Sequence, residues 1–313
     1  MKKSKPIKLV SNKLKTNKLS VSSIIILTIL CIYTIALVAL IGWAIMVSLQ
    51  TTDFDVFDAA NGTYYQMPAH FELHYAEVFE KLSLPGLEDE LPQYFIDILG
   101  NSLIYSILSA FLKTLVPTIA SYACAKYEFK TSKVVYTAVL VAMIIPIVGS
   151  MPSELNLASS FMVGDYSLII DNVVGTSLLK ASMTGLYFFV MYSAFESMPN
   201  GYFEAAKIDG ANNWQIMFRV AFPLVKNIFL TIFIIHFVEF WNDYQTPMVY
   251  LNHRPTLGYA MWRLTFGSAG DATLANPVLS MTTVILCALP VVTLFAIFKD
   301  KFMGNLTMGG IKG

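Results

Sequence analysis

Three ionisable side chains, His236, Glu239 and Asp243, stand at i, i+3 and i+7 in an otherwise apolar run over 228–251. In a helix this spacing puts them on one face, with Trp241 and Tyr244 on the adjoining faces. Aromatic rings with carboxylates and amides are the groups that hold sugars, and ionisable groups inside an apolar helix face a cavity or a partner helix. Two readings stay open. The face lines a polar path, or Asn242 and Asp243 sit at an interface while His236 and Glu239 form a structural pair.

Other chemistry is poorly represented. Cys31, Cys124 and Cys287 form no C-x-x-C pair and lie near no ligand-spaced histidine, so they read as small core residues. His70 and His74 are four apart, but no third ligand shares their spacing, and no metal site is expected. The chain contains no G-x-x-x-x-G-K-[ST], H-E-x-x-H, G-x-S-x-G or G-x-G-x-x-G. If ATP is used, another chain binds it. No catalytic residue and no cofactor are expected here.

A second concentration of polar residues fills 199–224. Pro199 and Asn200 can start a short helix, and Gly210 stands where a left-handed cap would end it. Asn212 or Asn213 can cap a second helix, in which Trp214, Met217, Phe218, Ala221 and Phe222 make an apolar face before Pro223 stops it. The segment reads as helix, turn, helix.

The elements that position these residues follow from composition. Of 313 residues, 56% are hydrophobic and 13% charged, about half the charged share of roughly 25% in an ordinary globular domain. Such an inventory excludes a disordered chain, a disulfide scaffold and a normal water-soluble surface. The 21 basic and 21 acidic side chains cancel, which gives no reason to expect a nucleic-acid partner. Residues 24–47 carry no charge and would make a helix about 36 Å long, enough for a hydrocarbon core of about 30 Å. The run is too long for the core of a cleavable signal peptide. Further apolar stretches at 94–125, 134–148, 177–195, 228–251 and 277–298 bring the expectation to six spans.

Several spans are interrupted, by Lys113 and Pro117, by Pro146, and by the His236 group. Such interruptions are tolerated where neighbouring helices or a wet cavity satisfy the polar groups, which points to a bundle. With the N-terminus inside, sixteen of the 21 lysines and arginines fall in inner segments, so both termini are expected to be cytoplasmic. The segment 50–93 then lies outside, with nine acids against Lys81, and Phe71, Tyr75, Val78, Phe79 and Leu82 recur in it at helical spacing. The expected organisation is a basic tail (1–23), a first membrane helix (24–49), the acidic segment (50–93), a membrane core (94–298) and a short tail (299–313).

Glu204-Ala205-Ala206, followed by Asp209-Gly210-Ala211 and then Pro223, resembles the EAA motif of permease subunits in bacterial ATP-binding-cassette importers. Asn101-Ser102, Ile145-Pro146, Trp241-Asn242-Asp243-Tyr244 with Pro247, and the ending 306–313 are similar to the carbohydrate-uptake branch, most of all to the maltose-type second permease. The ending has Met308-Gly309-Gly310-Ile311 where that branch more often has small residues. The resemblance implies an all-α integral membrane fold of the type I importer permease, with six transmembrane helices and a coupling hairpin on the cytoplasmic side. It also implies residence in a bacterial cell membrane, surrounded by lipid.

The partners it implies are a second permease in a heterodimer, two ATP-binding subunits that hold ATP and magnesium, and an extracytoplasmic solute-binding protein. Glu204, Ala205, Ala206, Asp209 and Gly210 would couple to the ATPase, and His236, Glu239, Trp241, Asp243 and Tyr244 would belong to the path. A sugar or oligosaccharide is the expected cargo, with a polyol, a glycerol-phosphate type solute or an amino acid as alternatives. A stand-alone secondary transporter would explain Glu239 but not the hairpin, and it would usually carry an internal repeat, which is not seen. A non-transporting membrane scaffold is the third class.

Overall fold

The computed structural model describes residues 21–50, 71–76, 78, 83–84, 93–127, 131–145, 149–164, 166–266 and 277–308. Residues 1–20 of the expected basic tail, most of the acidic segment with His70, Pro146, and residues 309–313 lie outside the described residues.

A 28-residue helix, α1 (Val21–Ser48), comes first. It is apolar on every side and exposed along almost its whole length, and only near Val47 and Ser48 does it become buried. A helix that is hydrophobic all round and uncovered by its own chain is suited to lipid or to another subunit. After the short paired strands β1 (Ser83–Leu84) and β2 (Gln93–Tyr94), the 32-residue α2 (Phe95–Lys126) forms the centre of the bundle. Its buried face is made of small and hydroxyl residues, including Ser102, Ser106, Ser109, Ala110, Thr114, Thr118 and Ser121. Small side chains let neighbouring helices approach closely. Several hydroxyls return their protons to carbonyls one turn back, as Ser102 does to Ile98 and Thr118 to Thr114. Burial therefore leaves most of these hydroxyls satisfied without water, while Ser106 Oγ has no hydrogen-bond partner among the described residues.

Among the described residues, four helices are long and apolar enough to cross a membrane: α1, α2, the continuous stretch Asn213–Trp241, and Val278–Lys299 within the last helix. The other two expected spans are interrupted. The third is α3 (Ser132–Ile144), 13 residues, followed after Gly149 by α4 (Ser150–Ser160). A small antiparallel pair, β3 (Met162–Val163) with β4 (Tyr166–Ser167), leads on to α5 (Val173–Lys180). The fourth span breaks between α5 and the 11-residue α6 (Leu186–Glu196). Helices of 13 and 11 residues reach about 20 and 17 Å, short of a hydrocarbon core of about 30 Å. Glycines in conformations that L-residues avoid sit at both breaks, Gly149 at φ +76° and Gly185 at φ +131°.

The hairpin region supplies α7 (Gly201–Ile208) and α8 (Asn213–Ile216). Then come a five-residue π-helical turn, Met217–Ala221, and α9 (Phe222–Trp241). The expectation that Pro223 stops a helix is corrected, because Pro223 lies in the first turn of α9 and the helix runs on through it. Proline lacks the N–H that a continuing α-helix needs. The wider π-turn, in which Phe222 N–H donates to Met217 O, re-registers the backbone just before it. The chain ends with α10 (Gln245–Tyr250), α11 (Leu257–Phe266) and α12 (Pro277–Met308).

Among the described residues, two large apolar clusters do most to hold the bundle, with a smaller one at Cys124, Val139 and Phe188. One surrounds Tyr105, Phe237, Phe240, Trp241 and Leu257. The other joins Tyr122, Met191 and Phe195 to Phe203, Ile216 and Met217, so the hairpin is seated on the ends of α2 and α6.

Candidate functional site

Two groups of polar residues invite function: the hairpin at one end of the bundle, and the ionisable row on α9.

The hairpin turn is closed by backbone bonds. Gly210 N–H donates to Lys207 O and Ala211 N–H to Ala206 O, both at 3.0 Å, the paired closure of a Schellman cap that requires a left-handed residue at its centre. Gly210 provides it, at φ +81°. Asn212 starts the next helix with a reciprocal capping box: its Oδ1 accepts from Gln215 N–H, and its own N–H donates to Gln215 Oε1, each at 2.8 Å. Asn200 makes no such cap. Its Oδ1 accepts instead from Lys126 Nζ at 3.3 Å, and the same ammonium donates to Met198 O at 2.9 Å and lies 4.6 Å from the centre of the Phe203 ring. The last residue of α2 thus holds the entry of the hairpin.

What the hairpin shows outward is mixed. Glu204, Ala205, Lys207, Asp209 and Gly210 are exposed, and Ala206 is half-buried. Ile208 is 86% exposed and Trp214 65%, and Trp214 stacks on the exposed Phe218 with ring centres 6.1 Å apart. The apolar face expected of the second helix is therefore divided, since Met217 and Ala221 are buried in the bundle while Trp214 and Phe218 point away. Glu204 and Lys207 also border a cavity of about 200 Å³ walled by Tyr122, Lys126, Asn200 and Phe203.

The residues of the α9 row part company. His236 is 3% exposed. Thr114 Oγ1 donates its proton to Ala110 O, so at 3.0 Å it accepts from His236 Nδ1–H, and the edge of Tyr187 meets the imidazole ring at 4.9 Å. Glu239 bonds Lys113 Nζ on α2 at 2.7 Å, with 53% of the carboxylate side chain and 26% of the lysine exposed. The reading of His236 and Glu239 as a structural pair is thus corrected, because each takes a separate partner on α2. Asp243 accepts from Tyr105 O–H at 3.0 Å through Oδ2, and through Oδ1 from the N–H groups of Gln245 and Thr246, which starts α10. Trp241 is buried, donates from Nε1 to Cys287 O at 2.9 Å and stacks on Phe237. Tyr244 stacks on Trp262, with planes 8° apart. Trp241 and Asn242 wall a largely apolar cavity of about 450 Å³ between α9, α11 and α12.

Sequence reasoning missed Lys113, Thr114, Tyr105 and Lys126 as partners in these arrangements. For Lys113 a signal existed, because a charge in one apolar span asks for an opposite charge in another. Asn101 and Ser102 reach the segment before α11, through Asn101 Nδ2–H to Pro255 O and Leu257 N–H to Ser102 Oγ. His74 bonds Gln50 O at 2.8 Å, and among the described residues no three His, Cys, Asp or Glu side chains gather as metal ligands.

Comparison with known proteins places these features in context. Residues 114–303 match the family described as binding-protein-dependent transport system inner membrane component. The melibiose/raffinose/stachyose import permease protein MelC of Bacillus subtilis is 32% identical over 251 residues, 79% of this chain and 83% of that protein. The arabinooligosaccharides transport system permease protein AraQ of the same organism is 25% identical over 68% of this chain and 72% of its own length. Among solved structures, a chain of a bacterial ABC transporter involved in the import of the acidic polysaccharide alginate superposes with a TM-score of 0.66 at 21% identity. That superposition covers 91% of this chain and 99% of the other.

Proposed function

Because the chain belongs to the binding-protein-dependent transport system inner membrane component family, we propose that it forms half of an ATP-driven path for a saccharide. A second, different permease completes the path. Two ATP-binding subunits sit beneath the two permeases, one of them docked on this chain's hairpin, and an extracytoplasmic binding protein delivers the solute. The saccharide reading is supported by relatives named for melibiose, raffinose, stachyose and arabinooligosaccharides, which favour it over a polyol, glycerol-phosphate or amino-acid cargo. Six crossings are proposed, the third and fourth being the broken pairs α3 with α4 and α5 with α6. The distribution of basic residues supports a cytoplasmic location for both termini and the hairpin.

One observation carries the coupling role. The hairpin is rigid where it meets the bundle and uncovered where it faces away. Phe203, Ile216 and Met217 are buried, Gly210 and Asn212 close the turn, and Glu204, Ile208 and Trp214 stand exposed. A lever needs a rigid root and a free surface. ATP-driven closure of the ATPase pair would push on Glu204, Ala205 and Ala206, where the small side chains permit close helix approach. The push would pass through α9, which continues from the hairpin without a break, and through Lys126 to α2. The Asp243, Trp241 and Tyr244 region at the far end of α9 would move with it.

Cross-linking tests this directly. A cysteine at Ala205 should form a disulfide or maleimide link to a purified ATPase subunit in membranes that contain the whole complex. Cross-linking to the binding protein instead would reverse the assignment.

A further inference from the structure

We propose that the Lys113–Glu239 pair is the part of this chain that faces the translocation path, and that its self-neutralised charge admits uncharged polyhydroxyl solutes and holds back ions of either sign. The proposal rests on the transporter reading above and specifies the solute class.

The placement of the pair argues for a polar face. Lys113 lies about 27 Å along α2 from Phe95 and about 20 Å from Lys126, well within a hydrocarbon core of about 30 Å. A half-exposed carboxylate at that depth is too costly to leave against lipid, so its open side meets water or protein. His236, one turn away, does not share that side, since it is buried against Thr114 and Tyr187. Around the open side of Glu239, Ile235 and Asn242 are exposed, while Phe240 turns inward beneath the lysine, 5.1 Å from ring centre to Nζ.

The chemistry of the pair sets the solute class. Glu239 Oε1 is taken by Lys113, and Oε2 has no hydrogen-bond partner among the described residues. An acceptor oxygen next to ammonium donors offers two adjacent hydroxyls one partner each, the arrangement found in a saccharide diol. The net charge of the pair is zero, so an entering ion gains no counter-charge without breaking a 2.7 Å contact. Lys180, beside the fourth span, is likewise engaged, by Glu154 at 2.8 Å. Neither lysine offers an open cation to an acidic sugar.

Thiol labelling of the complete complex, with Cys31, Cys124 and Cys287 replaced by alanine, tests both halves of the proposal. Glu239→Cys and Lys113→Cys are each treated with an anionic sulfonatoethyl and a cationic trimethylammonium-ethyl methanethiosulfonate, with rates normalised to a free thiol, in nucleotide-free and ATP-bound states. Both cysteines should react from the aqueous phase. Glu239→Cys leaves Lys113 as an unpaired cation and should favour the anionic reagent about tenfold or more, while Lys113→Cys should show the reverse preference. Adding Lys113→Met to Glu239→Cys should bring the ratio back to about one.

Labelling of neither site in either nucleotide state, or equal rates in both single variants, would overturn the proposal. Raffinose uptake by the unsubstituted complex is measured in parallel. Its absence alongside the expected labelling pattern would count against the saccharide reading while leaving the path-facing assignment in place.

Discussion

Replacing Gly210 by valine separates the backbone conformation of the hairpin turn from every other property of the hairpin. At φ +81° an added Cβ meets no atom within 4 Å, so the cost of a side chain at this position is chiefly conformational. A left-handed conformation costs an L-residue about 1–2 kcal/mol, and a β-branched side chain is a true outlier there. That is roughly a 5- to 30-fold fall in the closed-to-open ratio of the turn in which Gly210 and Ala211 close on Lys207 and Ala206. Asparagine tolerates the left-handed region, so Gly210→Asn should recover most of the loss with a larger side chain than alanine. The assay is ATP hydrolysis by the reconstituted complex, with and without loaded binding protein. Gly210→Val should assemble in the membrane yet lose most of the stimulation, and Gly210→Asn should retain most of it. Equal stimulation in all three would refute the reasoning, and so would an asparagine variant as poor as valine, because glycine would then be needed for space and not for φ.

Four further outcomes follow from the same geometry. Glu204→Lys reverses an exposed charge on the hairpin, and losing one charge-assisted contact of about 1.5–3 kcal/mol should weaken ATPase co-purification roughly 10- to 100-fold. Lys126→Met frees Met198 O, Asn200 Oδ1 and the Phe203 ring from α2, so stimulated ATP hydrolysis should fall while Lys126→Arg keeps much of it; equal loss in both would show that the ammonium plays no part. Gly175 carries α5 so close to the preceding loop that a Cβ would overlap Leu168 O, so Gly175→Ala should lower thermal stability by about 1–3 kcal/mol, read from the unfolding of detergent-purified complex. In intact cells, a cysteine at Asn61 should react with an impermeant thiol reagent and one at Asn212 should not, and labelling of Asn212 would reverse the topology.

The long spans were legible because apolar length is a local property, and α1, α2 and α12 need no distant information to be found. The breaks in the third and fourth spans were legible only in part, through Pro146 and the polar residues before Gly185, since the backbone conformations of Gly149 and Gly185 are not a property of apolar length. Gly210 could be anticipated as a turn residue from its neighbours alone. Pro223 could not be placed, because whether a proline ends a helix or is absorbed depends on a preceding π-turn that leaves no clear residue signature. The α9 row shows the same divide. Helical spacing put His236 and Glu239 near one another, but their separation into a buried and an exposed group is decided by Thr114 and Lys113, more than 120 positions earlier.

The central claim is that this chain conducts a saccharide only as part of an assembly energised by a separate ATPase, and uptake by proteoliposomes measures it most directly. Vesicles holding this chain, its partner permease and the ATPase, supplied with the binding protein and internal ATP, should accumulate raffinose or a related neutral oligosaccharide. Accumulation should stop when any of the partners or the ATP is withheld. Uptake by this chain alone, driven by an ion gradient without ATP, would contradict the account.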